Sequence, residues 1–169
     1  YVVAKDTDPA LLKVPESNLP LSTYIGTVGM PGRTAYFGLN KVGKPKSGET
    51  LVVSAASGAV GTVVGQLAKS YGCHVIGIAG GPEKCSYVKD VLHFDDCIDY
   101  KSGNLDEGLK KACPNGIDIY FENVGGAVTR AVAPLLNIGS RIPICGFISQ
   151  YNAKDMLEVE TPFNVFGAL

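Results

Sequence analysis

The chain has 169 residues, 46% hydrophobic and 18% charged, with 15 basic and 16 acidic side chains and a formal net charge of −1. That size fits one domain with a short extra segment at either end, and the apolar content excludes wholesale disorder. The even charge balance argues against a nucleic-acid binder, every apolar run is interrupted before membrane-spanning length, and residues 1–6 lack the basic-then-apolar layout of a signal peptide.

In chain order, residues 1–20 are extended and punctuated by Pro9, Pro15 and Pro20, and read as the tail of a preceding domain. Two helical patches follow at 21–28 and 33–42, separated by Gly29-Met30-Pro31-Gly32. From Thr50 a regular alternation begins. Leu51-Val52-Val53-Ser54-Ala55 reads as a buried strand; Val60, Val63, Val64, Leu67 and Ala68 then recur at helical spacing, and Gly72 closes that helix. A second strand at 74–79 precedes a helix opened by Pro82, with Val88, Val91 and Leu92 inside. The third strand spans 97–100 and its helix 105–112. The fourth spans 117–121 and its helix 126–136, and the fifth strand is placed at 140–145. Pro134 should kink the fourth helix, and Pro143 suits a sheet edge or a strand end. Five strand–helix alternations with short connections predict an α/β fold, a Rossmann-type doubly wound parallel sheet.

The cysteines (Cys73, Cys85, Cys97, Cys113, Cys145) form no C-x-x-C pair, and four of them sit beside apolar neighbours in predicted elements. They read as small buried hydrophobes in a reducing cytosol, which places the protein in the cytoplasm. Neither His74 nor His93 is spaced with them as a zinc ligand, so no metal site is expected.

The strongest local signal is Ser54-Ala55-Ala56-Ser57-Gly58-Ala59-Val60-Gly61, between the first strand and the first helix of the alternation. There a dinucleotide's diphosphate is received by unpaired N–H groups and the helix dipole. Gly58 lets a phosphate approach the backbone and Gly61 lets the helix pack close to the strand, while Ala56 replaces the first fingerprint glycine. About twenty residues on, an NAD site would carry an acidic residue on the ribose. Here Gly80-Gly81-Pro82-Glu83-Lys84 stands instead. Lys84 and the helix start favour a 2′-phosphate, hence NADP(H), whereas Glu83 would suit a 2′-hydroxyl. Asn123-Val124-Gly125-Gly126 and Cys145-Gly146-Phe147-Ile148-Ser149-Gln150-Tyr151-Asn152 fall at the same sheet edge, across the crevice.

These motifs, with Gly29-Met30-Pro31-Gly32-Arg33-Thr34-Ala35-Tyr36 before them, resemble in content and order the zinc-free medium-chain dehydrogenases/reductases, specifically the leukotriene B4 dehydrogenase, prostaglandin reductase and alkenal double-bond reductase branch. The resemblance runs from about Leu21 to Asn152. It implies NADPH-dependent reduction of a C=C bond conjugated to a carbonyl, with a small enone or enal as substrate. Carried over by motif, Lys84, Gly80 and Tyr100 would lie at the 2′-phosphate and Ser57, Gly58, Ala59, Val60 and Gly61 at the diphosphate. Asn123, Cys145, Phe147 and Ile148 would lie near the nicotinamide half, with Met30 and Thr34 bordering its pocket. Tyr151 would be the acid or oxyanion partner. The resemblance also implies that 1–20 is the remnant of an N-terminal GroES-like catalytic domain and that 21–169 is an NADP-binding domain cut before its last strand. A homodimer is common in that branch, with the region after the fifth strand as a candidate interface. The rival readings are an NADPH quinone oxidoreductase and a nucleotide-binding module without catalysis; a methyltransferase-like site lacks an acidic residue closing the second strand.

Overall fold

The computed structural model describes residues 13–154 together with Lys5, Thr7, Pro9 and Val165. Nine of the twenty residues of the expected N-terminal tail, and the expected interface region beyond residue 154 apart from Val165, therefore lie outside the described residues. Five strands, β1 (Thr50–Ser54), β2 (His74–Ala79), β3 (Asp96–Asp99), β4 (Ile117–Phe121) and β5 (Leu136–Arg141), form one all-parallel sheet in the order β3-β2-β1-β4-β5. The doubly wound Rossmann-type reading is correct. All five residues of β1 are buried, as a strand covered on both faces requires.

The helices are α1 (Leu21–Ile25), α2 (Met30–Phe37), α3 (Gly61–Ser70), α4 (Pro82–Ser86), α5 (Leu105–Ala112) and α6 (Gly126–Val132). Alternate β1 residues feed two cores. Leu51 and Val53 join Ala35, Val64, Ala68, Val88 and Phe94 on the face covered by α2, α3 and α4, whereas Val52 joins Leu109, Val128 and Val132 beneath α5 and α6. Phe94 fills the space a Cβ on Gly65 would need, which draws α3 onto the sheet. Among the described residues no helix is long and apolar enough to cross a membrane.

Several boundaries differ from the sequence reading. Met30, Pro31 and Gly32 are the first turn of α2 and not a linker, because proline's fixed φ suits a helix start and Gly29 supplies the extended cap. Val91, expected inside, is exposed: the chain after Ser86 widens into a π-turn (Tyr87–Val91), which keeps Val88 and Leu92 buried and rotates Val91 outward. Pro134 ends α6 at Val132 in a tight 3-10 turn. The fifth strand begins at Leu136, four residues earlier than its sequence suggests. Asn137 donates to Asn115 O (3.1 Å) and Asp118 Oδ1 (2.8 Å), and Arg141 donates to Gly43 O (2.9 Å) and Glu49 (2.5 Å), so side-chain bonds anchor a stretch whose Asn and Gly read as loop. Pro143 lies past that strand, where its carbonyl still takes the Glu122 N–H at 3.0 Å.

Cys73, Cys85, Cys97 and Cys113 are buried and Cys145 is exposed. Burial pushes the Cys113 thiol up to about 11, and burial with the neighbouring Cys85 pushes Cys97 higher still. The Cys97 and Cys113 thiols stay protonated at neutral pH and act as packing groups.

Phe94→Ala should cost about 3–5 kcal/mol, because it empties the contact between α3 and the sheet; urea unfolding of the two proteins measures the difference.

Candidate functional site

At the carboxyl edge the chain leaves β1 for α3 on one face and leaves β4 for α6 on the other. Between two connections that part in opposite directions a crevice must open, the usual ligand position in such sheets.

The turn after β1 is tightly determined. Ala55 takes φ +50° and its carbonyl accepts the Gly58 N–H at 2.9 Å. The strained position is thus Ala55; Ala56, expected there from the fingerprint, is fully buried and continues the sheet by donating to Ile78 O at 3.0 Å. A Cβ on Gly61 would run into the Ala55 carbonyl oxygen, so only glycine allows α3 to start this close. The first backbone donors satisfied at the helix start are Thr62 to Gly58 O (2.9 Å) and Val63 to Val60 O (3.1 Å). Among the described residues no acceptor meets the N–H groups of Ala59, Val60 and Gly61. Three such donors at the start of a ten-residue helix are of the kind that receive an anion.

Two clefts flank this turn. The first, of about 530 Å³, is lined by Ser57, Gly58, Gly80, Glu83, Lys84 and Tyr87. Tyr100 lies alongside, its ring within 3 Å of where a Cβ on Gly80 would stand. The β2–α4 turn is held by Asp99, whose Oδ1 accepts N–H groups from Gly81 (2.8 Å) and Lys101 (2.9 Å). Those two bonds, Gly81 first, hold the Asp99 carboxyl below the usual carboxylate range. Glu83 and Lys84 share this cleft, so position alone does not choose between a 2′-phosphate and a 2′-hydroxyl.

The second cleft, of about 350 Å³, is lined by Met30, Pro31, the Gly58–Gly61 turn, Asn123, Cys145, Gly146, Ile148 and Tyr151. Tyr151 lies over Gly146, its hydroxyl 2.5 Å from where a Cβ there would stand. Two of the residues expected here lie elsewhere. Thr34 donates to Met30 Sδ (3.5 Å) from an adjoining hollow that shares Cys145. Phe147 lines neither cleft; it meets the Tyr151 ring edge-on at 5.8 Å and backs Gly125.

Beneath the second cleft lies a buried polar cluster. Glu122 Oε1 accepts the N–H groups of Val124 (2.7 Å) and Gly125 (3.0 Å) and the Ser54 hydroxyl (3.1 Å), while its Oε2 accepts the Thr129 hydroxyl. Asn123 donates its N–H to Ser54 Oγ and its side-chain NH₂ to Ser54 O, both at 2.8 Å. Tyr120 Oη, buried beside them, has no hydrogen-bond partner among the described residues, and burial together with the Glu122 charge pushes its phenol well up. Sequence reading missed Ser54, Glu122 and Thr129 as a unit, and missed Tyr87 and Asp99. The one visible signal was an acidic residue closing a β-branched strand directly before Asn-Val-Gly-Gly. Among the described residues no group of three or more His, Cys, Asp or Glu side chains is placed to hold a metal ion.

The model of the zinc-binding dehydrogenase family matches residues 59–166. The chain is 58% identical over 132 residues to the NADPH-dependent curcumin reductase of Escherichia coli K12, covering 78% of this chain and 38% of that protein. It is 49% identical over 157 residues to the NADP(+)-dependent 2-alkenal reductase of Nicotiana tabacum, covering 92% of this chain and 45% of that one. The crystal structure of CurA from Vibrio vulnificus in complex with NADPH superposes with a TM-score of 0.85 at 56% identity, covering 94% of this chain and 47% of that one. The chain thus spans less than half the length of each.

Gly61→Ala should destabilise the chain by about 1–3 kcal/mol, because the added methyl must displace the Ala55 carbonyl; a shift in the urea midpoint with an unchanged slope is the expected reading.

Proposed function

This chain belongs to the zinc-binding dehydrogenase family, within its medium-chain reductase branch, and we propose that it is the cofactor-binding part of an NADPH-dependent reductase of the C=C bond in α,β-unsaturated ketones and aldehydes. The observation that carries this reading is the trio of N–H groups at Ala59, Val60 and Gly61, without an acceptor among the described residues and set between a cleft with a lysine and a cleft with a phenol. With a diphosphate on the trio, the first cleft would hold the adenosine and the second the nicotinamide. Lys84 and Tyr100, with Gly80 making room, then receive the 2′-phosphate. Met30, Asn123, Cys145 and Ile148 border the nicotinamide, with Thr34 and Phe147 supporting Met30 and Tyr151. The names of the relatives support NADPH over NADH where Glu83 leaves the geometry divided.

Bound in this way, NADPH supplies a hydride to the β-carbon of the substrate, and a proton added at the α-carbon completes the saturated product. The chain's own part is to hold the reacting ends together and to answer the negative charge that grows on the substrate carbonyl oxygen. Tyr151 is the donor for that charge: it is exposed to the second cleft, and a phenol donates a hydrogen bond at neutral pH. The relatives' names support an enone or enal as substrate, and the four buried free thiols fit a reducing cytoplasm.

Calorimetric titration should show NADPH binding more tightly than NADH. Lys84→Ala should weaken NADPH roughly 10- to 100-fold, the worth of a charge-assisted bond, and leave NADH nearly unchanged. Equal affinities for the two nucleotides in the unsubstituted chain would remove the role given to Lys84. In the protein that carries this chain, NADPH oxidation should be driven by an α,β-unsaturated ketone and not by a quinone. Tyr151→Phe should lower kcat about 100-fold with NADPH affinity retained; unchanged turnover retires Tyr151 as the donor.

A further inference from the structure

Glu122 is a fully buried carboxylate that meets no cation among the described residues. Such a group is costly unless every oxygen is answered, and here four donors converge on it. Its backbone carbonyl is used as fully, accepting the N–H groups of Cys145 (2.9 Å) and Gly146 (3.2 Å). The next two carbonyls, of Asn123 and Val124, take the N–H groups of Ile148 (3.1 Å) and Ser149 (3.0 Å). One turn therefore carries the whole segment from Cys145 to Tyr151. Gly125 and Gly126 sit at φ +78° and +58°, a backbone path that the Glu122 carboxylate holds by bonding its N–H groups.

The same carboxylate sets the direction of the Ser54 hydroxyl above it. The Ser54 hydroxyl has one proton; given to Glu122, it leaves a lone pair for the Asn123 N–H. Ser54 O can only accept, so the Asn123 side chain must turn its NH₂ toward it, and Oδ1 is the atom left to bond. Asn123 lines the second cleft. We propose that Glu122, acting through the Ser54 hydroxyl, is a positioning residue for the nicotinamide end of the cofactor: it holds the Asn123 backbone N–H in place, and from that backbone position the bond to Ser54 O turns the Asn123 side-chain oxygen to the cleft as an acceptor. Such an acceptor suits the N–H₂ of a carboxamide or a ribose hydroxyl. The inference rests on the reading above that the second cleft takes the nicotinamide half.

The test compares NADPH with adenosine 2′,5′-bisphosphate, which reaches the first cleft and the phosphate turn but has no nicotinamide. In calorimetric titrations of the chain, with thermal melts to verify folding, Glu122→Ala should weaken NADPH roughly tenfold, about one hydrogen bond, while the bisphosphate changes by less than about twofold. Glu122→Gln, whose oxygen still receives the two backbone N–H groups, should recover most of the loss. Equal weakening of both ligands, or no weakening of NADPH, overturns the proposal. Should Glu122→Ala fail to fold, Ser54→Ala removes the hydroxyl that joins Glu122 to the Asn123 N–H, keeps the Ser54 carbonyl, and leaves the other three donors on the carboxylate. The same selective loss is then expected, and unchanged NADPH affinity overturns the proposal. An unsubstituted chain that binds neither ligand removes the functional reading and this inference with it.

Discussion

The architecture turns on β1 being hydrogen-bonded on both sides, to β2 from Thr50 through Ser54 and to β4 from Leu51 through Val53. Because both neighbours run parallel to it, each following connection has to cross over a face of the sheet, and the two connections depart to opposite faces. The crevice at the carboxyl edge is the geometric remainder of that divergence. Its walls are chain segments that the sheet has already fixed, so the two clefts need no dedicated framework of their own.

The two ends of the crevice are built by different means. Around the Gly58–Gly61 turn the donors are backbone N–H groups left over because a helix begins there, with Gly61 leaving room for the Ala55 carbonyl. At the other end the construction is made of side chains: Ser54, Glu122, Asn123 and Thr129 tie the ends of β1 and β4 to the start of α6. The charge pattern follows the same division. The helix dipole and Lys84 stand with Glu83 at the end where phosphates would lie, while the buried carboxylate of Glu122 sits under the opposite end, held by four neutral donors and, among the described residues, by no cation. A buried charge compensated by oriented dipoles holds those dipoles in place, which suits a surface that must present the same few atoms each time a ligand arrives.

Much of this was legible beforehand. Strand–helix alternation, the order of motifs and the turn at Gly58–Gly61 follow from local periodicity and from glycine's lack of a side chain, which act over a few residues. Pro31 and Val91 mark where local reading failed: a proline that looked like a linker opens a helix, and a π-turn after Ser86 turned an apolar residue outward. The start of β5 failed for a different reason, since Asn137 and Arg141 are held by partners 19 to 98 positions away.

Short-range pattern and the obligatory handedness of parallel crossovers account for the fold class, the Gly58–Gly61 turn and the set of residues grouped at one sheet edge, all of them readable in the chain's order of residues. Long-range packing settles which of those residues share a cleft, sets Thr34 and Phe147 behind others, and joins Ser54, Glu122 and Thr129 in one unit. Ser54 and Glu122 are 68 positions apart, and their meeting is set by the register of β1 against β4. No local signal encodes that register; it emerges when two buried strands align their side chains across the core.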